Sequence, residues 1–233
     1  MEAVVLVGGL GTRLGELTKS IPKPMLPIRG IPFLERLLTH LKANGFTKVI
    51  LAVGYKSEVI KSFFSNSSTN VPEIAYSTEA SPLGTGGAIA QALDLVSSRD
   101  VFVLNGDSFL ELDYGEMYRL HRSIFSDLTI ASYFVEIADR YDLMAVTENQ
   151  EVVGFQEKGK LQGGLINGGV YLLNVERFRK VFASLPATFF SFEEVIVSNP
   201  SLGLKKIHYE TKGTFLDIGI ISDFEYAQEL LFK

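Results

Sequence analysis

The residues best suited to chemistry lie near the start of the chain, where a glycine-rich turn and two cations follow an apolar run. The apolar run, Val4–Val7, is typical of a strand buried on both faces. The glycines of Gly8–Arg13 allow a sharp turn in which backbone N–H groups can approach an anion closely. Arg13 contributes a forked cation suited to phosphate, and Lys23, held between two prolines, contributes a second one. Together these features predict a polyphosphate-binding site.

Two widespread phosphate-binding motifs do not account for this segment. The Walker string G-x-x-x-x-G-K-[ST] does not occur, and the dinucleotide fingerprint G-x-G-x-x-G fails because Leu14 stands in place of its third glycine. The string that does occur, G-G-x-G-T-R-L followed by K-P-M-L-P, resembles the signature of the sugar-1-phosphate nucleotidyltransferases. A glycine turn that only closes a βα unit is the structural alternative, and it would not explain why Arg13 and Lys23 occur together.

Members of this family join a nucleoside triphosphate to a sugar phosphate, and the resemblance implies Arg13, Lys23 and Asp107 as catalytic residues. Asp107 in L-N-G-D and Asp217 in F-L-D-I-G resemble the family's two metal-binding segments. Taken alone, an aspartate after a short strand is more often an N-cap or turn residue. The resemblance implies that both aspartates bind a cofactor, Mg²⁺ or Mn²⁺. Two carboxylates suit Mg²⁺ because it often takes only one or two of them together with phosphates and waters.

A second glycine-rich segment, Ser81–Ala88, runs into a predicted helix, Ala88–Leu95, and this arrangement favours a ligand-binding loop over a loose connection. Glu79 lies just ahead of it. Its carboxylate could accept two adjacent N–H groups of guanine, or Glu79 could simply end a strand in solvent, and both interpretations stay open. The nucleotide-binding residues that the resemblance implies are Gly8, Gly9, Gly11, Thr12, Arg13, Lys23, Glu79, Pro82, Gly84 and Thr85.

Three further matches concern the sugar side. Arg140-Tyr141 resembles the family's R-Y-G, with Asp142 in place of the glycine, and F-Q-E-K resembles E-E-K-P, in which the glutamate binds sugar hydroxyls and the lysine binds phosphate. Without the resemblance, the E-K pair would be interpreted as a solvated strand end. The segment I-N-G-G-V-Y resembles the one that lines the sugar pocket. The implied sugar-phosphate-binding residues are Asn105, Gly106, Glu157, Lys158, Asn167 and Gly168.

The combination of P-L-G-T-G-G-A-I, L-N-G-D-S-F, L-I-N-G-G-V-Y-L-L, F-S-F-E-E and F-L-D-I-G is most similar to the branch of D-glycero-D-manno-heptose 1-phosphate guanylyltransferases. This resemblance implies transfer of GMP from GTP to the heptose 1-phosphate, with GDP-heptose and pyrophosphate as products. The alternatives are another sugar 1-phosphate (mannose, glucose or N-acetylmuramate) with GTP, UTP or dTTP, and an inactive sugar-nucleotide sensor. The intact cations and aspartates argue against a sensor. Because the chain has no cysteine and no motif suggests a Ser–His pair, we expect direct attack on the α-phosphorus.

Composition limits the class of protein. A chain of 233 residues with 46% hydrophobic residues is expected to form a single α/β domain over residues 1–233. A net charge of −5 without a basic run argues against nucleic acid as a partner. No signal peptide or membrane-spanning run is expected, and with no cysteine a cytoplasmic location is expected. The expected partners are a nucleoside triphosphate and a sugar 1-phosphate, with a homodimer left open.

The positions of these motifs require an α/β fold. Alternating apolar runs and amphipathic stretches predict a three-layer α/β/α, Rossmann-like, mostly parallel (mixed) sheet with strands at 4–7, 49–53, 74–76 and 101–104. Its ligands should bind beyond the carboxyl ends of the strands, where both glycine-rich segments and Asp107 converge. Strands at 128–135, 144–147, 152–157 and 166–173, with few long helices between them, predict a small antiparallel extension that forms the sugar side of the cleft. Capping boxes at Ser191 and Ser222 predict helix starts.

Overall fold

The computed structural model describes residues 1–66, 70–138, 141–156, 163–185 and 189–229. Its strands are β1 Glu2–Leu6, β2 Pro27–Ile28, β3 Ile31–Pro32, β4 Lys48–Val53, β5 Glu73–Thr78, β6 Asp100–Asn105, β7 Ser108–Leu110, β8 Leu128–Val135, β9 Leu143–Val146, β10 Val152–Gln156, β11 Gly164–Asn174, β12 Lys206–Thr211 and β13 Phe215–Asp217. Its α-helices are α1 Phe33–Ala43, α2 Ser57–Asn66, α3 Gly84–Ala92, α4 Tyr114–Ser123, α5 Val175–Ala183 and α6 Ile221–Glu229. Short helical turns lie at Thr12–Thr18, Lys23–Met25, Leu93–Leu95, Glu193–Val197 and Pro200–Leu202.

Nine of the described strands form one mixed sheet in the order β10-β9-β11-β6-β1-β4-β5, and β8 pairs with both β11 and β12. The central strands β6, β1, β4 and β5 are parallel to one another. Strand β11 runs antiparallel to β6, β8 and β9, and β10 runs antiparallel to β9. The predicted mixed sheet with a parallel centre and an antiparallel extension is therefore confirmed.

The alternation of side chains along the central strands explains the layers. Ala3 and Val5 of β1 face a core that also contains the apolar faces of α1, α2, α4 and α6, while Val4 faces the opposite core with α3 and α5. Both cores are fully buried at these positions. Because successive residues of a strand point to opposite faces, one sheet supports helices on both sides, and the three-layer prediction is confirmed.

Two helices, α4 after β7 and α5 after β11, were not predicted. Helix α4 begins after Asp113, whose side chain accepts a hydrogen bond from the backbone N–H of Glu116 at 2.8 Å. Helix α5 begins after Asn174, which accepts from the N–H of Arg177 at 2.9 Å. Asp and Asn are strong N-cap residues, so these two side chains were the available signal in the sequence.

Two predicted helix starts were also wrong. Helix α3 begins at Gly84, four residues before the predicted start at Ala88, because the chain around Phe190 supports its first turn: the N–H of Gly86 donates to the Phe190 carbonyl at 3.0 Å. Helix α6 begins at Ile221, so Ser222 lies inside its first turn and does not cap it. Near Ser191 a short helical turn does begin, at Glu193, and the Ser191 hydroxyl accepts from the N–H of Glu194 at 3.2 Å, which is one of the two bonds of a capping box.

The parallel register brings the ends of four strands to one edge of the sheet. Leu6 of β1 lies beside Ala52 of β4 and Asn105 of β6, and β5 continues the same register along β4. The segments that follow these strands therefore meet at the carboxyl edge, as predicted. Among the residues that the structure describes, no helix is both long enough and apolar enough to cross a membrane.

Candidate active site

The glycine-rich segment Gly8–Arg13, called the phosphate segment below, leaves the sheet after β1. With the helical turns that follow it, up to Lys19, it forms an arm on the surface. Gly11 adopts a positive φ of 65°, and the Thr18 hydroxyl hydrogen-bonds the carbonyls of Gly11 and Gly15 at 3.1 and 3.2 Å. Leu14 is buried and anchors the arm. Arg13 is exposed and forms no hydrogen bond or ion pair with any residue in the described part of the chain. Its guanidinium is therefore available to an anion.

Lys23 and Asp107, predicted separately as a phosphate-binding cation and a metal ligand, form an ion pair. The Lys23 side chain is 11% exposed, and its Nζ lies 2.6 Å from Asp107 Oδ2. Gly106 joins this pair to the phosphate segment because its N–H donates to the Leu6 carbonyl at 2.9 Å. A Cβ at position 106 would lie 2.5 Å from Val7 Cγ1, so only glycine permits this close approach.

Asp217 completes a small charged cluster. The antiparallel pairing of β13 with β7 brings Asp217 alongside the Asp107 segment, where the N–H of Ile218 donates to the Asp107 carbonyl at 3.0 Å. Burial raises the pKa of Asp217 and the negative charge of Asp107 raises it further, while Lys23 and the N–H of Gly219 act in the opposite direction. Lys23 therefore offsets only part of what burial and Asp107 do to the pKa of Asp217.

Glu79 lies between the phosphate segment and the second glycine-rich segment, Ser81–Ala88. Its Oε2 accepts a hydrogen bond from the N–H of Leu83 at 3.0 Å. Its Oε1 lies so close to Gly8 that a Cβ on that glycine would be 2.6 Å away. The carboxylate therefore closes the connection from β5 to α3 and contacts the phosphate segment. Contact with a guanine base stays a prediction.

The glycines and threonine at the start of α3 contact the protein itself. A Cβ on Gly84 would lie 2.4 Å from the Phe190 carbonyl oxygen. The Thr85 hydroxyl donates to Glu193 Oε2 at 3.1 Å and accepts from the N–H of Phe192 at 2.8 Å. Packing against the chain around Phe190 therefore accounts for a glycine at position 84 and a threonine at position 85. Pro82 is exposed, and the roles predicted for these residues, as for Gly9 and Thr12, in nucleotide binding stay predictions.

The predicted sugar-side segment of β11 reaches the end of β6. Asn167 Oδ1 accepts from the N–H of Gly169 at 3.0 Å, and a Cβ on Gly169 would lie 3.0 Å from Asn105 Nδ2. A Cβ on Gly168 would lie 2.4 Å from Leu110 Cδ2, which again requires glycine. The structure thus brings Asn105, Asn167 and Gly168 close to the Asp107 segment. Arg140, Glu157 and Lys158 lie outside the described residues.

An aromatic cluster beside Asp217 was missed by the sequence analysis. Phe215 stacks on Tyr133 with ring centres 5.4 Å apart and contacts Tyr141 edge-on at 5.8 Å. The spacing of two residues on a strand places Phe215 on the same face as Asp217, and this alternation was the available signal. Glu193 and Tyr171, which are hydrogen-bonded to each other at 2.6 Å, were also missed as site residues.

The fold and this group of residues define a nucleotidyl transferase, and the chain belongs to that family, whose model matches residues 2–233. The family prediction is confirmed. The chain is 42% identical over 227 residues to the D-glycero-alpha-D-manno-heptose 1-phosphate guanylyltransferase of Campylobacter jejuni, covering 96% of this chain and 97% of that protein. It is 39% identical over 231 residues to the corresponding enzyme of Aneurinibacillus thermoaerophilus, covering 99% and 98%.

A solved structure has the same fold. The crystal structure of HddC from Yersinia pseudotuberculosis is similar with a TM-score of 0.86 and 36% identity, covering 98% of both chains. The same protein complexed with GMP-PN gives a TM-score of 0.85. The resemblance to the heptose 1-phosphate guanylyltransferase branch is therefore confirmed over nearly the whole chain.

Proposed function

We propose that this protein transfers GMP from GTP to D-glycero-D-manno-heptose 1-phosphate and releases pyrophosphate. The observation that carries this proposal is the similarity over nearly the full length of both chains to two heptose 1-phosphate guanylyltransferases. The complex of a structural relative with GMP-PN supports a guanine nucleotide as the donor. The geometry of the site supports the reaction type, since cations and carboxylates meet at the edge where a doubly wound sheet binds ligands.

In the proposed reaction, a phosphate oxygen of the sugar phosphate attacks the α-phosphorus of GTP. A new P–O bond to the sugar phosphate forms, the bond to the β-phosphate oxygen breaks, and the electron pair leaves with pyrophosphate. Both substrates are anionic, so the main task of the protein is to hold them together against their repulsion. Arg13 and Lys23 carry out this task, with the backbone N–H groups of Gly8–Gly11 contacting phosphate oxygens.

Asp107 and Asp217 would hold the divalent cation, Mg²⁺ or Mn²⁺. Their fit to such an ion is supported by their placement, since the N–H of Ile218 donates to the Asp107 carbonyl, and by the charge of Asp107, which adds to burial in raising the pKa of Asp217. Both supply oxygen ligands, which Mg²⁺ prefers. Within the described ranges no three His, Cys, Asp or Glu side chains form a group that could hold a metal ion. When bound, the ion would withdraw charge from the phosphate oxygens.

Pyrophosphate release from a panel of substrates tests the proposal. We expect release with GTP and D-glycero-D-manno-heptose 1-phosphate in the presence of Mg²⁺, and much slower release with UTP, dTTP or mannose 1-phosphate. Faster release with mannose, glucose or N-acetylmuramate phosphates would replace the heptose assignment with the corresponding sugar. Binding of sugar nucleotides without release from any pair would indicate an inactive sensor.

Asp107→Asn tests the metal. We expect this variant to lose most turnover while keeping its fold, because it removes one carboxylate ligand and the ion-pair partner of Lys23. The matched control is Asp94→Asn, an exposed aspartate in the turn after α3, which should keep full turnover. Full activity of the Asp107 variant in the presence of a chelator would refute the proposed metal site.

A further inference from the structure

A chain of hydrogen bonds runs from the sugar side of the site to the nucleotide side. Asn167 Nδ2 donates to the Tyr171 hydroxyl at 2.6 Å, and that hydroxyl donates to Glu193 Oε1 at 2.6 Å. The other oxygen, Glu193 Oε2, accepts from the hydroxyls of Thr85 at 3.1 Å and Ser191 at 3.2 Å. Tyr171 has no exposed surface, so water cannot replace its partners.

The direction of each bond on the sugar side is fixed by its neighbour. A backbone N–H can only donate, so Gly169, at 3.0 Å, requires Asn167 to present Oδ1 to it and Nδ2 to Tyr171. The Tyr171 oxygen then accepts from Asn167, and its own proton points to Glu193. An ionised carboxylate only accepts, so Glu193 fits this direction and no other.

On the nucleotide side, the direction of the hydrogen bonds is fixed in the same way. The N–H of Phe192 donates to the Thr85 oxygen at 2.8 Å, so the Thr85 proton points to Glu193. Thr85 lies in the first turn of α3, directly after the segment that Glu79 closes. The Glu193 carboxylate therefore links Thr85, in the first turn of α3, to Tyr171 of β11. Tyr171 in turn holds the Asn167 amide.

We propose that Tyr171 and Glu193 are positioning residues that hold the Asn167 amide and the first turn of α3 in register for the two substrates. Asn167 has a second N–H that it donates to no residue in the described ranges, so a sugar hydroxyl can take it. The amide can present that N–H in one orientation only because Tyr171 and Gly169 fix the other groups. This inference rests on the proposed function for its substrates.

Tyr171→Phe and Glu193→Gln test the inference, with Tyr114→Phe as the matched control. Tyr114 is also a buried tyrosine, 2% exposed, but its hydroxyl has no hydrogen-bond partner among the described residues. We expect Tyr171→Phe to raise the KM for the heptose 1-phosphate about 10-fold, the effect of one lost hydrogen bond, and to leave the KM for GTP unchanged. Glu193→Gln should raise both KM values, because an amide N–H would face hydroxyl donors. Tyr114→Phe should change neither.

The thermal shift produced by heptose 1-phosphate gives a readout that does not depend on turnover. The shift, measured for each variant from its own melting temperature without ligand, should be smaller for Tyr171→Phe than for Tyr114→Phe. Equal shifts and equal KM values for the two variants would overturn the inference. A Tyr171→Phe variant that melts before assay leaves Glu193→Gln to decide, and a Glu193→Gln variant with wild-type KM values would also overturn it. If the wild type itself does not use GTP and heptose 1-phosphate, the proposed function fails, and the KM comparison applies to the pair that it does use.

Discussion

The two edges of the central sheet differ in how their charges are satisfied. At the amino edge, the Glu2 carboxylate accepts hydrogen bonds from the N–H and hydroxyl of Ser97 and the N–H of Ser98, at 2.7–2.9 Å. Burial alone would raise the pKa of Glu2, but these bonds outweigh it and hold the pKa at about 2. Asp100 follows the same pattern, since the neighbouring His121 ring, 3.7 Å away, and the Arg122 guanidinium, which donates to Oδ2 at 3.0 Å, lower its pKa in spite of burial.

The carboxyl edge of the same strands has the opposite balance. The pKa of Asp217 is raised by burial and by Asp107, and Arg13 has no anionic partner within the described ranges. Charges at the amino edge are satisfied within the protein, whereas at the carboxyl edge Asp107 pairs with Lys23 but opposes the ionisation of Asp217, and the proposed phosphates and cation would complete the balance. Such an arrangement is expected where a protein trades stability for a site organised in advance.

Asp217→Asn should give the largest effect, and it separates the role of this carboxylate in turnover from its effect on the stability of the fold. We expect turnover to fall on the order of 10²–10³-fold, as for loss of other groups that stabilise charge in the transition state. Because the folded-state pKa of Asp217 is raised, its ionised form opposes folding at neutral pH, and the neutral amide should raise the melting temperature. Kinetics and thermal unfolding at pH 7 check both. A slower variant with a lower melting temperature would contradict the charge argument.

Arg13→Ala should lower kcat/KM about 10²-fold, because it removes a cation that stabilises the phosphates during transfer. Stability should hardly change, since the exposed guanidinium has no partner within the described part of the chain. Lys19→Ala is the matched control, an exposed cation at the end of the same arm that pairs with exposed Glu16 at 2.6 Å. The direct mechanism also predicts no nucleotidylated enzyme intermediate, and trapping one, or ping-pong kinetics, would refute it.

Glu2→Gln should destabilise the fold without slowing the reaction. The folded-state pKa is about 2, and an unfolded value near 4.3 gives a contribution of about 3 kcal/mol to the free energy of unfolding at neutral pH. That contribution is present above about pH 4.3 and is lost as the pH falls towards 2. Urea unfolding across this range should show a smaller pH dependence in the variant. Glu73→Gln, an exposed carboxylate at the same edge, should match the wild type.

The carboxyl edge could be predicted well from the sequence because the patterns that mark it are local. Val4–Val7 and Val101–Leu104 are continuous apolar runs followed by glycine and polar residues, and parallel strands deliver such segments to one edge. The ion pair of Lys23 and Asp107, 84 residues apart, depends on how β1 and β6 pack, so no local pattern could reveal it.

The antiparallel half was less predictable. The apolar strand β11 continues into α5 without a glycine or proline, so only the Asn174 N-cap marks the change from strand to helix. The glycines at 84 and 86 resembled a ligand-binding loop because their packing partner, Phe190, lies about one hundred residues further along the chain. A residue type that is required by a distant neighbour looks the same in the sequence as one that is required by a ligand.

Glu79→Gln should give the smallest effect and tests whether the charge balance of the carboxyl edge extends to base recognition. Guanine offers two adjacent N–H donors that one carboxylate can accept, whereas uracil and thymine offer one. Glu79 Oε2 already accepts from Leu83, and Oε1 lies beside Gly8, where the phosphate segment begins. If Glu79 also binds the base, an amide in its place should weaken the preference for GTP over UTP by about 1–3 kcal/mol. The ratio of kcat/KM for the two triphosphates measures this, with Glu73→Gln, at the first residue of β5, as the control. A ratio equal to that of the wild type would limit Glu79 to closing the connection from β5 to α3.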